Sequence, residues 1–320
     1  MKILITGGTG FIGSNLCSEL LKQHHIVYCM DNNFTGSLEN IAEHMDNNNF
    51  KFIKHDVIQP IFYSMIDNTG NTIIVDQIYH LACPASPPAY QLDPIKTIKT
   101  NVYGTMNVLD YANKCNARVL FSSTSEVYGD PQISPQVEEY WGNVNPIGPR
   151  SCYDEGKRIA ETIMMEHNKQ NNTTIRIARI FNTYGPKMDK NDGRVVSNFI
   201  NQCLEGKDIT IYGDGSQTRS LCYVTDTIKG LISLMNNEIT IGPINLGNPC
   251  EMSIKEIALF IRNSTNSESN IVYKELPQDD PMQRRPNIEK AKQFLQWEPC
   301  VELKEGIEKT SQYFSSYQRE

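Results

Sequence analysis

The chain has 320 residues, of which 39% are hydrophobic and 21% charged, with a formal net charge of −7. That length suits one large α/β domain or two smaller units, and the composition is ordinary for a globular protein. The acidic balance, with no basic block, argues against a nucleic-acid partner, so any site for anions must gather its own Arg and Lys.

The first stretch, MKILITGGTGFIG, sets the organisation of the chain. Ile3, Leu4 and Ile5 form a short buried strand, and Gly7, Gly10 and Gly13 follow. Phe11, Ile12, Leu16, Leu20 and Leu21 then have helical spacing. Strand, glycine turn and helix make a phosphate cradle, because glycine lets the backbone approach a pyrophosphate and the helix start turns its N–H groups toward negative charge. A second apolar run, Ile26 to Met30, ends at Asp31, where a carboxylate can accept from an adenosine ribose. Asn32 and Asn33 follow without an Arg for a 2′-phosphate, so the reading is NAD, not NADP.

Residues 32–49 read as a loop with a short helix, and residues 50–53 as a third strand running into Asp56, which either meets the adenine or caps a turn. Residues 67–72 read as a surface loop. Residues 77–82 form the fourth strand and lead into Cys83-Pro84-Ala85-Ser86-Pro87-Pro88, too rich in proline for a helix or inner strand. A rigid loop there lies on the ligand side of a parallel sheet. Pro94 opens a helix carrying Ile95, Ile98, Val102, Met106 and Leu109. Residues 118–121 are strand five, followed by Ser122-Ser123-Thr124-Ser125-Glu126. A long loop, a helix over 151–169 and strand six over 175–178 complete the alternation. The pattern predicts an α/β fold with a Rossmann-type doubly wound parallel sheet.

From Asn182 the alternation blurs. The expected division is an NAD-binding unit over 1–181, with returns near 223–246, and a smaller mixed substrate unit over 182–222 and 247–320. A C-terminal amphipathic helix with Leu303, Ile307, Tyr313 and Phe314 is expected to serve packing. The nine Cys are scattered with no CxxC and no ligand-spaced cluster, which predicts free thiols and no metal. No apolar run reaches transmembrane length, and the first strand leaves no room for a signal peptide. The expectation is a cytoplasmic protein with no membrane partner.

Tyr153 and Lys157 stand four apart, on one face of a helix. A free Tyr titrates near pH 10 and is a poor base at neutrality, but a neighbouring ammonium and a nicotinamide cation lower that value. Tyr153 can then take a hydroxyl proton while hydride leaves the same carbon. Thr124, at the mouth of strand five, can share that proton, although a Ser/Thr cluster also forms turns. Glu126 can reach a substrate beside Thr124 or be a surface carboxylate.

The segments TGGTGFIG, HLACPASPP, SSTSEVYGDP, NPIGPRSCYDEGKR, RIFNTYGP, NDGRVVSNFI and YGDGSQTR, in this order, resemble the extended short-chain dehydrogenase/reductases and, within them, the UDP-glucuronate decarboxylases, also called UDP-xylose synthases. The resemblance spans about residues 1–300 and implies bound NAD and a UDP-sugar site between two domains. It matches Tyr153 and Lys157 to the catalytic pair, Thr124 to the hydroxyl partner, Glu126 to the catalytic glutamate and Arg219 to an arginine facing the substrate carboxylate. Asn182 and Arg284 match groups near the pyrophosphate, Tyr212 one near the uracil, and Arg194 one reaching phosphates. The expected cofactor site is Gly7, Gly10, Phe11, Ile12, Gly13, Asp31, Asn32, Thr35, Gly36, Asp56, Val57, Leu81, Ala82, Cys83, Thr100, Tyr153 and Lys157. The expected substrate site is Pro84, Ser86, Ser125, Asn182, Arg194, Tyr212, Arg219 and Arg284. Cys83 stands where relatives have Ser, residues 64–74 resemble a surface insertion, and Asn287 replaces an Asp.

The implied reaction is NAD-dependent decarboxylation of UDP-glucuronate to UDP-xylose through a 4-keto sugar, with NADH recycled internally. The competing readings are a nucleotide-sugar 4,6-dehydratase or 4-epimerase and, in another class, an inactive NAD-binding sensor or scaffold. A dehydratase has Asp in place of Ser125, and an epimerase needs no counterpart of Glu126 or Arg219. The resemblance also implies a homodimer paired through helices over 95–113 and 151–169.

Overall fold

The computed structural model describes residues 1–276 and 282–317. Its centre is a seven-stranded sheet. Six strands come in chain order: β1 (Lys2–Thr6), β2 (Ile26–Asp31), β3 (Phe50–Lys54), β4 (Gln77–His80), β5 (Arg118–Thr124) and β6 (Ile175–Ile180). They lie in the order β6-β5-β4-β1-β2-β3, and a late strand, Ile244–Leu246, adds to β6. Every pairing is parallel.

The first strand shows why the sheet is buried on both faces. Successive side chains of a strand point to opposite sides. Ile3 and Ile5 enter a core with Leu16 and Leu20 of helix α1 (Phe11–Lys22). Leu4 enters a second core with Ile78, Val108 and Val119. A continuous apolar run is therefore required, as parallel strands covered by helices demand.

The second core is covered by helices α4 (Thr105–Cys115) and α5 (Ser151–Asn171), while α2 (Pro87–Leu92), α3 (Pro94–Lys99) and a π-turn at Thr100–Gly104 pack alongside α5. Asp93 caps α3 by accepting the Lys96 amide at 2.9 Å. Gly104 allows the π-turn to approach β3's exit loop, since a Cβ there would lie 2.8 Å from Val57 Cγ2. The first core is covered by α1 and α7 (Val224–Asn236) and continues into the C-terminal region with α6 (Val195–Leu204), α8 (Ile254–Ser264), α9 (Glu289–Leu295) and α10 (Leu303–Tyr317). There, Thr218–Ser220 lies between antiparallel Glu251–Ser253 and parallel Gln283–Arg284.

The chain reverses its direction of travel across the sheet between β4 and β1, which opens a crevice at their C-terminal ends. Ile244–Leu246 returns to the sheet beside β6. Three expected strand ends move: β4 stops at His80, β5 runs to Thr124, and β6 runs to Ile180. The 64–74 segment is a surface feature only at its tip. Met65 and Ile73 are buried in the second core, and Tyr111 donates to the Ile73 carbonyl. The apolar flanks hold the segment down, while Asp67 accepts the amides of Thr69 and Asn71 at 2.9 Å to close the polar turn.

Candidate active site

Every residue expected at the cofactor or substrate site lines one cleft of about 1400 Å³ at that crevice. The cleft starts at the glycine turn. Gly7 has φ +73°, and a Cβ on it would lie 2.8 Å from the Ala82 nitrogen, so only glycine fits between β1 and the β4 exit. A Cβ on Gly13 would strike the Gly7 carbonyl oxygen, whereas one on Gly10 would meet only that oxygen, at 3.3 Å. Gly10 is the N-cap of α1 and has no side chain to cover the first-turn amides. A pyrophosphate fits this turn because bare backbone faces the space. Asn182 Nδ2, at the other wall, is buried without a hydrogen-bond partner among the described residues, so a donor is available for a ligand oxygen.

Asp31 ends β2, and its carboxylate accepts the Thr9 amide at 3.0 Å and the Asn33 amide at 2.8 Å. It ties the glycine turn to the second strand while facing the cleft. Asp56 caps its own turn by accepting the Ile58 amide at 3.2 Å, accepts Asn32 Nδ2 at 2.8 Å, and still lines the cleft. Asp56 is therefore a turn cap that also lines the cleft. Lys96, which the sequence reading passed over, sits 3.3 Å from Asp56 and 4.5 Å from the centre of the Phe34 ring. Its place just after the Asp93 cap and Pro94, at the helix start that follows the proline-rich loop, was the available signal.

At the other end, α5 presents Tyr153 and Lys157. The Tyr153 ring stacks on Tyr90 at 5.1 Å, 7° from parallel. Lys157 donates to the Ser122 carbonyl at 2.7 Å and stands 5.8 Å from the Tyr153 ring centre. Burial drives the Tyr153 phenol up from its ordinary value, and a hydrogen bond with the Thr124 hydroxyl only partly opposes this. This differs from the depression expected of the Tyr–Lys pair. Lys157 is held by the Ser122 carbonyl, and desolvation outweighs the positive charge it offers the phenol. Burial likewise keeps the Cys83 thiol neutral; its sulfur accepts Asn101 Nδ2 at 3.2 Å. Thr124 also shows the turn-forming role, accepting the Glu126 amide at 3.2 Å.

Glu126 is held by two guanidinium groups. Its Oε2 accepts Arg150 Nη2 at 2.5 Å and Arg284 Nη2 at 2.9 Å. Burial acts to raise its carboxyl, but Arg284 and Arg150 outweigh that and hold it well below the usual range. The placement of Arg284 is therefore against Glu126 and the Gly129 carbonyl, at 2.5 Å, within the cleft wall. Arg194 forks onto Asp192 just before α6, and Arg219 donates to the Thr218 carbonyl at 2.8 Å. Tyr212 is half-exposed at the rim, and Gln217 donates to its carbonyl. Tyr313 and Phe314 of α10 pack on the first core and line the cleft as well.

A family model described as GDP-mannose 4,6 dehydratase matches residues 4–310. UDP-glucuronic acid decarboxylase 1 of Danio rerio is 54% identical over 314 residues, 98% of this chain and 72% of that protein. The chain belongs to the extended short-chain dehydrogenase/reductases, in the family of the UDP-glucuronic acid decarboxylases. UDP-glucuronic acid decarboxylase 6 of Arabidopsis thaliana, another member, is 53% identical over 308 residues, 96% of this chain and 87% of that protein. Among solved structures, a UDP-glucuronic acid 4-epimerase from Bacillus cereus, in complex with UDP-glucuronic acid and NAD, superposes with TM-score 0.87 at 29% identity, covering 99% of this chain and 100% of that one.

Proposed function

We propose that the chain catalyses NAD-dependent decarboxylation of UDP-glucuronate to UDP-xylose through a UDP-4-keto sugar, the cofactor being regenerated in each turnover. The observation that carries this reading is the convergence of Tyr153, Thr124, Lys157 and an ionised Glu126 in a cleft that begins at the glycine turn.

Gly7, Gly10 and Gly13 would hold the NAD pyrophosphate and Asp31 its adenosine ribose. When bound, NAD supplies a hydride acceptor, and later a donor, at the sugar C4. Tyr153 Oη takes the C4 hydroxyl proton and later gives it back, with Thr124 sharing the path. Lys157 adds positive charge behind the Tyr153 ring and favours the phenolate. With C4 oxidised the substrate is a β-keto acid. Its carboxylate leaves as carbon dioxide, the electron pair enters an enolate, and C5 is reprotonated. Arg219 offers a forked partner to the carboxylate before it leaves. Glu126, a charge of the same sign, disfavours retention of that carboxylate and can position a water. Tyr212 stands at the uracil end and Arg194 and Asn182 toward the phosphates.

Mass spectrometry of the nucleotide sugars, with carbon dioxide measured alongside, tests the reading. UDP-xylose and equimolar carbon dioxide from UDP-glucuronate are expected. A product that keeps its carboxylate, or dehydration of UDP-glucose, would select the epimerase or dehydratase reading. Ser125, in place of a dehydratase's Asp, speaks against the latter. NADH release without turnover would select the sensor.

The same reading makes the chain a homodimer. Support comes from apolar side chains on the outer face of the α3–α4 segment: Ile95 is 61% exposed, Tyr103 53% and Met106 45%. Ile159 of α5 is exposed beside them in the expected pairing helices. The unit over 1–181 holds the cofactor, and 182–222 with 247–320 holds the UDP-sugar. No helix among the described residues is long and apolar enough to cross a membrane. All nine Cys are free thiols, which supports a reducing, cytoplasmic setting.

A further inference from the structure

Arg150 had no role in the sequence reading, yet its guanidinium makes the shortest contact to Glu126. It is the N-cap residue of α5, and its carbonyl accepts the Tyr153 amide at 3.0 Å and the Asp154 amide at 3.1 Å. The backbone of the catalytic tyrosine and the side chain of Glu126 are thus both tied to one residue. Behind Arg150, Asp154 Oδ2 lies 4.0 Å from its Nε. Asp154 Oδ1 is buried with no hydrogen-bond partner among the described residues. Arg150 therefore stands between two carboxylates, one facing the cleft and one facing the protein interior. On the same Glu126 oxygen, Arg284 is 1% exposed and donates to the Gly129 carbonyl as well.

We propose that Arg150 is a positioning residue: with Arg284 it fixes Glu126 in its anionic form and aims it at the reacting end of the cleft. This rests on the decarboxylase reading for the identity of the substrate. Arg284 comes from the small C-terminal sheet and Arg150 from the start of α5, so Glu126 is clamped from two separate parts of the fold. Glu126 also feels the charge of Arg219 from the same small sheet, and its own charge reaches Tyr90 from α2, Tyr153 and Asp154 from α5, and Arg194 before α6. The cations outnumber the ionised carboxylates here, and burial opposes them. Without Arg150, burial gains ground and the Glu126 carboxyl rises toward the working pH. Asp154, pushed up by burial and by the Glu126 charge, supplies little competing negative charge to draw Arg150 away.

Three variants test this: R150A, E126Q and the double variant, with R150K as the conservative replacement. Carbon dioxide release from UDP-glucuronate is measured against pH. R150A should lower kcat about ten- to a hundredfold at neutral pH, the span of one charge-assisted hydrogen bond, with KM little changed. Its acid limb should move to higher pH, and adding R150A to E126Q should cost almost nothing further. R150K, a point charge without the fork, should give a smaller shift in the same direction. Effects that multiply in the double variant, or a raised KM with kcat intact, would overturn the proposal and make Arg150 a substrate ligand.

A second readout does not need turnover. In enzyme labelled with carbon-13 at the Glu carboxyl, the signal missing from E126Q identifies Glu126. It should stay ionised to the acid limit of folding in the wild type and titrate within the folded range in R150A or R150K. An unchanged titration in both would overturn the proposal even if the enzyme decarboxylates. Absent carbon dioxide with a shifted titration would instead retain the clamp and sink the decarboxylase reading.

Discussion

Replacing Tyr153 with Phe removes one oxygen from the site and little else. The ring stays in place because it stacks on Tyr90 at 5.1 Å and is buried. The lost hydrogen bond is the one to Thr124, whose oxygen keeps the Glu126 amide as a donor at 3.2 Å. A neutral hydrogen bond contributes about 1 kcal/mol to stability, so Tm should fall by only a few degrees. The catalytic loss is of another size. A positioned acid–base group contributes about 10²- to 10⁴-fold, which is about 3 to 5 kcal/mol of barrier. The pH dependence has a definite sign. Burial raises the Tyr153 phenol, so the free enzyme holds it neutral at pH 7, and the wild-type rate should climb with pH on its acid side. Residual turnover of the variant should lose that limb. The assay is carbon dioxide release against pH, with NAD binding and thermal melting measured on the same preparation. A rate within a few fold of wild type, with NAD bound, would refute Tyr153 as the proton carrier.

Arg219→Ala should weaken UDP-glucuronate about ten- to a hundredfold more than UDP-glucose, whose C6 is neutral; equal losses in calorimetry would remove Arg219 from the carboxylate. Asp154→Asn should stabilise the protein increasingly as pH rises. The folded Asp154 carboxyl titrates above its unfolded value, so the native state keeps a proton that the unfolded chain loses above about pH 4, and wild-type stability declines with pH until the folded value is passed. A difference in Tm that stays constant from about pH 5 to about pH 8 would contradict that buried carboxyl. The wild type should be a dimer by light scattering at micromolar concentration and Ile98→Glu combined with Met106→Glu a monomer, because both side chains are exposed on the α3–α4 face; a monomeric wild type would refute the proposed homodimer, and a variant that stays dimeric would place its interface elsewhere.

Much of the fold could be read directly because its signals are local. A strand such as Lys2–Thr6 must be apolar on both faces, and a glycine with φ +73° must follow it. Both leave their mark within a few residues. Strand ends were less legible. His80 ends β4, yet the Leu81 amide still donates to the Thr6 carbonyl at 3.0 Å, so the chemistry of a strand outlasts its regular geometry. The 64–74 segment reads as polar because its tip is polar, while the burial of Met65 and Ile73 depends on a helix that follows much later in the chain.

The site divides along the same line. The glycine turn, Thr124 and the Tyr153–Lys157 pair are legible because each is a short pattern on one element. The electrostatic state of Glu126 is not, because its partners arrive from 24 and 158 residues away. Nothing in the pattern SSTSEVYG states whether Glu126 is ionised. A buried carboxylate with no cation would take up a proton and become a donor, whereas two guanidinium groups on one oxygen make it a fixed anion. The difference decides the chemistry available to it. A protonated Glu126 could deliver a proton to C5; an ionised one can orient water or repel the substrate carboxylate but has no proton to give at the outset. The geometry assigns the second state. In the proposed mechanism the proton that reaches C5 would then come from a water or from another acid in the cleft, and directing that delivery is the role proposed for Glu126.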